Sequence, residues 1–139
     1  MTHEHDVWDV NNNKQLIAET INVTTLKKNQ MQLSKRRAHI VGFQEHAVDG
    51  KAAAAAIEEA KANGWNMSLG PVDPELNRKT GGVGFQSTEE ISLLPIRCKT
   101  EDYKDAEATG RLKIMEIELE DGGRLQISNI YGWTGAIKG

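Results

Sequence analysis

Ile40-Val41-Gly42-Phe43-Gln44-Glu45 is the stretch on which the fold turns. Its short, continuous apolar run is typical of a strand buried on both faces, and a carboxylate stands where that strand ends. Upstream, Thr20-Ile21-Asn22-Val23-Thr24 places an Asn near the end of an earlier strand. Downstream, Thr80-Gly81-Gly82-Val83-Gly84 opens another strand, and Asn129-Ile130-Tyr131-Gly132 closes a late one. In sheets of this kind ligands bind outside the carboxyl ends of the strands. If the two early strands are neighbours, Asn22 and Glu45 offer a hard, oxygen-only set suited to Mg2+. That ion keeps several waters and needs only one or two carboxylates when a phosphate completes its shell.

The rest of the chain is read outward from these points. Gln15 to Val23 alternates as a strand, with Ile17, Ile21 and Val23 on one face. Thr25 to Arg37 predicts a helix with Leu26, Gln30 and Leu33 on one stripe, its end marked by Lys35-Arg36-Arg37. Asp49 predicts the cap of a second helix, Lys51 to Ala62, whose five consecutive alanines favour helix and add little bulk. Trp65 to Leu69 is a short strand, followed by a polar loop from Gly70 to Gly82. Val83 to Ser87 and Ile91 to Leu94 read as paired strands, and Cys98 to Thr109 as a charged loop. Arg111 to Glu120 and Arg124 to Tyr131 form a hairpin about Asp121-Gly122-Gly123. Residues 1–14, with Trp8, His3 and His5, read as an N-terminal arm, and residues 15–139 as the domain. Early alternation and late hairpins give an α/β (α+β) fold: a mixed β-sheet with two outer helices.

Composition narrows the function. The 139 residues carry a net charge of −3, so no overall basic field favours nucleic acid. Aromatics are only 5%, which leaves the core to Ile, Leu, Val, Met and Ala with three Trp as anchors. The single cysteine, Cys98, cannot form an internal disulfide, which gives oxidising secretion no support. The location is left open, with an intracellular protein favoured over a secreted one. No run approaches the roughly 20 apolar residues of a membrane span.

At the quoted points the chain resembles the endonuclease/exonuclease/phosphatase family, the deoxyribonuclease-I-like fold. The resemblance is carried by Ile21-Asn22-Val23, Phe43-Gln44-Glu45, Gly81-Gly82-Val83-Gly84, Gly110-Arg111 and Asn129-Ile130-Tyr131, in the family's order. It implies half of a four-layer α/β/β/α sandwich, each half supplying one sheet. It also implies that Asn22 and Glu45 help hold Mg2+ and that Tyr131 contacts the scissile phosphate. Thr134 stands near a phosphate-binding Asn of the family, and Thr24 where its nucleases often have Asp. The family's Asp-x-Asn pair and terminal Asp-His pair belong to a second half that these motifs do not reach. General-base and electrostatic contributions of that kind are each worth roughly 10²–10⁴ in rate.

Two functions follow as expectations. One is a truncated, non-catalytic domain serving as a structural or interaction subunit. Its partner, or a second copy, would cover the apolar strip Leu125, Ile127, Asn129 and Tyr131 on an exposed sheet face. The other is the N-terminal half of an active Mg2+-dependent phosphodiesterase or endonuclease, for which nucleic acid would be the partner. Whether the chain is an enzyme stays open. Simpler readings stand beside each residue. Glu45 could pair with a nearby Lys or Arg, Asn22 could close a turn, and Tyr131 could be a core residue. The glycines at 81, 82 and 84 fit a tight strand entry better than a phosphate cradle, since no helix follows them. His39 and His46 lack a zinc set. Lys27, Lys28, Lys35, Arg36 and Arg37 suit a solvated helix face.

Overall fold

The computed structural model describes residues 16–73 and 81–132. The N-terminal arm with His3, His5 and Trp8, and Thr134, lie outside the described residues. The elements in chain order are β1 (Ala18–Asn22), α1 (Leu26–Leu33), β2 (Ile40–Gln44), α2 (Gly50–Ala62) and β3 (Trp65–Leu69). They continue with β4 (Val83–Thr88), β5 (Leu93–Pro95), α3 (Glu101–Ala108), β6 (Leu112–Glu118) and β7 (Arg124–Ile130). Among the described residues no helix is long and apolar enough to cross a membrane.

A mixed sheet in the order β1-β2-β4-β3 forms the first layer. β1 and β2 run parallel, joined by α1, as a parallel pair requires. β4 lies antiparallel to both β2 and β3. Alternation along β2 sends Val41 and Phe43 to one face and Ile40 to the other. The first face packs on the helices through Leu26, Leu33, Ala56 and Ala60, with Trp65 and Met67 from β3. The predicted stripe of α1 is the buried one: Leu26, Gln30 and Leu33. Gln30 is satisfied there, its Nε2 donating to the Ala56 carbonyl at 2.7 Å. Full burial of side chains such as Phe43 and Leu26 stabilises by roughly 1.5–3 kcal/mol each.

The other face of the first sheet is where the sequence reading needs correction. It is covered by a second, antiparallel sheet in the order β5-β6-β7. Ile40 and Phe85 from the first sheet meet Met115 and Ile117 from the second, with Ile91 between them and Ile127 packed alongside. One stretch of chain therefore contributes to two sheets rather than one. The strip expected to lie open is closed by the chain itself only in part: Asn129 is 3% exposed, Ile127 and Tyr131 are half-buried, and Leu125 remains 42% exposed. Nor do β4 and β5 pair with each other. The turn after β4 lifts the chain from one sheet to the other. The Ser87 hydroxyl donates to the Ile91 carbonyl at 2.6 Å, and the Ile91 amide to the Thr88 carbonyl at 2.9 Å.

A second correction concerns residues 98–109, read as a loop. Residues 101–108 form α3. Thr100 caps it, its Oγ1 accepting from the Tyr103 amide at 3.1 Å, and Glu101 and Asp102 complement the dipole of the first turn. Its one buried residue, Tyr103, docks it on β6, where the hydroxyl accepts from the Ile114 amide at 2.9 Å. Helix α1 is shorter than predicted, ending at Leu33, so Lys35, Arg36 and Arg37 follow it rather than end it.

Candidate functional site at the strand ends

The parallel pairing of β1 with β2 sets Asn22 opposite Gln44, so the residue after Gln44 emerges beside Asn22. Glu45 leaves the strand in the left-handed region, with φ of 61°, and Ala47 follows at 60°. Thr24 (43°) and Thr25 (85°) do the same after β1. Non-glycine residues held this way cost on the order of 1–3 kcal/mol each and gather at sites that need a fixed geometry.

The surrounding backbone holds them there. The Thr25 amide donates to the Glu45 carbonyl at 2.8 Å, and the Leu26 amide to the His46 carbonyl at 2.9 Å. The His46 and Ala47 amides reach the carbonyls of Gly82 and Gly81 at 3.3 and 2.9 Å. The glycine pair thus serves as a tight strand entry that braces the Glu45 turn. Gly82 tolerates no side chain, because a Cβ would lie 2.5 Å from His46 Nε2.

His46 is fully buried beneath this turn. Its Nδ1 accepts from the Val48 amide at 3.1 Å, so the proton is assigned to Nε2, which faces the Gly70 carbonyl at 2.9 Å. Burial pushes its pKa down to about 4, against the opposing pull of the Gly70 hydrogen bond and aided by the charge of Lys113. His46 is therefore a neutral brace under Glu45.

Tyr131 arrives from the second sheet. Its amide donates to the Arg111 carbonyl at 2.8 Å, continuing the β6–β7 ladder by one step. Its hydroxyl is hydrogen-bonded to Glu45 Oε2. This bond to Glu45 raises the phenol pKa, as do burial and the charge of the carboxylate, while Arg111 and a hydrogen bond with Asn22 act the other way. The side chains of Asn22, Glu45 and Tyr131 are therefore brought together. Asn22 also closes the turn after β1: its Oδ1 accepts from the Thr24 amide at 2.9 Å and hydroxyl at 3.0 Å. Asn22 thus closes a turn while its side chain lies beside Tyr131.

The other candidates named from the sequence lie elsewhere. His39 is buried, and among the described residues no group of three or more His, Cys, Asp or Glu could hold a metal. Arg36 is engaged by Glu19 through two bonds of 2.7 and 2.8 Å, and Lys35 and Arg37 line a surface groove beside it. Sequence reasoning missed Arg111 as a site residue. Its guanidinium lies 5.0 Å from the centre of the Tyr131 ring. The only signal was the Gly110-Arg111 pair, which gives no hint of what the side chain touches.

No family model matches the chain, and no curated protein does. Solved structures do. The AP endonuclease LMAP from Leishmania major superposes with a TM-score of 0.53 at 15% identity, over 94% of this chain and 48% of that one. The 3′ phosphatase NExo from Neisseria, bound to product DNA hairpin, gives 0.47 at 19% identity, over 81% and 39%. The human Nocturnin catalytic domain gives 0.38 at 16%, over 74% and 38%. The chain spans less than half the length of each. The described residues carry the endonuclease/exonuclease/phosphatase fold, the deoxyribonuclease-I-like architecture, as a half-domain.

Proposed function

We propose that this chain supplies the metal- and phosphate-holding half of a Mg2+-dependent phosphodiesterase site, completed by further strands along β1 and β7. The observation that carries this reading is the meeting of the Glu45 carboxylate, the Tyr131 phenol and the Asn22 amide at the ends of three strands.

The donor set fits a hard cation: all three groups offer oxygen, and one is a carboxylate. Glu45 would be the charged ligand. The Asn22 oxygen would join it on a turn of the amide, since it now accepts from Thr24. When bound, Mg2+ would offset charge developing on a phosphoryl oxygen. Tyr131 would hold the phosphate beside it, with Thr134 proposed as a further contact. Likeness to the Leishmania endonuclease favours nucleic acid as the substrate class. The three convergent groups include one carboxylate and no neutral base to activate water. Turnover therefore needs a base that the completing strands would bring.

Two edges support the completion. β1 and β7 are edge strands of their sheets among the described residues. Cavities open on both sides of β1: one of about 590 Å³ by Ile17, Gln32 and Arg36, and one of about 230 Å³ between β1 and β7 by Thr20, Phe85 and Ile127. Unpaired edges of this kind invite further strands. A non-catalytic subunit that associates through the same edges is the second reading. It is favoured by Thr24, an uncharged residue whose hydroxyl and amide occupy the Asn22 oxygen.

The test is a titration of the 15N-labelled chain with Mg2+ and a dinucleotide phosphodiester, followed by NMR. The first reading expects Mg2+-dependent shifts at Asn22, Glu45 and Tyr131 that vanish in Glu45→Gln. Shifts elsewhere only, or none, would favour the non-catalytic subunit.

A further inference from the structure

Arg111 stands immediately before β6, opposite the residue that follows β7. The last register pair is Leu112 with Ile130, and the Tyr131 amide donates to the Arg111 carbonyl at 2.8 Å. From there the Arg111 side chain folds over Tyr131. Its guanidinium carbon lies 5.0 Å from the ring centre. One terminal nitrogen donates to the Gly132 carbonyl at 2.8 Å, and the other faces Asp73 Oδ2 at 3.5 Å. Among the described residues the guanidinium therefore meets an aromatic face, a backbone carbonyl and a carboxylate.

The far end of this arrangement is anchored. The Asp73 side chain is 4% exposed and that of Arg111 is 17% exposed. Gly110, with φ of 78°, packs so close to the 71–73 segment that a Cβ would lie 2.9 Å from the Pro71 carbonyl and 3.0 Å from the Asp73 amide. The segment bearing Asp73 is thus pressed against the residue before Arg111, and the carboxylate holds the guanidinium from behind.

We infer that Arg111 is the positioning residue of Tyr131, a clamp that fixes the ring and the chain after it so that the hydroxyl points at Glu45. The clamp rests on the proposed role of Tyr131 at the phosphate. It also accounts for the Gly110-Arg111 pair. The glycine lets the Asp73 segment close in, and the arginine carries that anchorage to the phenol. Lysine cannot replace it. An ammonium keeps the charge but has neither a planar face for the ring nor a fork for two oxygens at fixed angles.

The chain has two tyrosines, Tyr103 and Tyr131, which makes the test direct. Incorporation of 3-fluorotyrosine gives two 19F signals, assigned with Tyr103→Phe and Tyr131→Phe. In both Arg111→Ala and Arg111→Lys the Tyr131 signal is expected to move towards that of free fluorotyrosine and to narrow, while the Tyr103 signal stays. Asp73→Asn is expected to give a smaller move in the same direction. A Tyr131 signal unmoved in Arg111→Ala would overturn the clamp. So would full restoration by Arg111→Lys, which would show that charge alone suffices. Should Arg111→Ala move Tyr103 as well, the milder Arg111→Lys and Asp73→Asn decide, and an unmoved Tyr131 in both overturns the inference. Mg2+ reads the other proposal separately. If it leaves the Asn22 and Glu45 amide signals unmoved, the half-site fails while the clamp stands.

Discussion

Gln44 and Asn129, 85 residues apart in the chain, are joined by a hydrogen bond of 2.8 Å from Nε2 to Oδ1. The Asn129 amide nitrogen donates in turn to the carbonyls of Phe43 and Gly84 at 3.1 and 2.9 Å. One side chain of the second sheet thus pins the two central strands of the first, one step from the residue that leads into Glu45. Asn129→Ala leaves the buried Phe43 and Gly84 carbonyls without this partner and is expected to cost about 1–3 kcal/mol, the range for such losses. Urea denaturation of the variant against the parent chain measures it. A loss below about 0.5 kcal/mol, as for a surface site, would contradict the pinning role.

His46 makes stability depend on pH. Its folded pKa, about 4, lies below the ordinary value of 6.5 because burial disfavours the charged ring. The unfolded chain therefore takes up the proton first as pH falls. The contribution of the neutral ring is fully present above about pH 6.5 and is lost as pH drops towards 4, where the folded protein also protonates. A shift of this size corresponds to about 3 kcal/mol. Denaturation midpoints measured between these limits are expected to fall steeply in the parent chain and much less in His46→Gln. Parallel curves for the two would refute the assignment.

Tyr103 is the anchor of α3. Tyr103→Phe removes the acceptor for the Ile114 amide and the contact with Glu107 at 3.1 Å. The expected loss is about 1–2 kcal/mol. Hydrogen exchange at the Ile114 amide is expected to quicken more than at neighbouring amides of β6. Unchanged protection at Ile114 would show that the helix is held by something else.

These positions also show what the sequence made legible. β3 was readable to the residue, and the β6–β7 hairpin was announced by Asp121-Gly122-Gly123. Local periodicity and turn chemistry decide such elements. Helix α3 was not readable, because it buries only Tyr103 and is polar elsewhere, so no apolar stripe betrays it. The division into two sheets was hidden in the turn between Ser87 and Ile91. A strand's alternation says which residues share a face, but not which sheet receives them. That Asn22, Glu45 and Tyr131 lie near one another was legible because each ends or directly follows a strand. The His46 brace and the Arg111 clamp depend on contacts with Gly70, Gly82, Asp73 and Gly132, which no local pattern encodes.

The central claim, that Glu45, Asn22 and Tyr131 form one cation and phosphate half-site, is tested most directly by Mn2+ in place of Mg2+. The paramagnetic ion broadens NMR signals of nearby nuclei. The account predicts selective broadening of the Asn22, Glu45 and Tyr131 amide signals at low Mn2+, reversed by excess Mg2+ and abolished in Glu45→Gln. Broadening that ignores these residues, or that persists unchanged in Glu45→Gln, would contradict it.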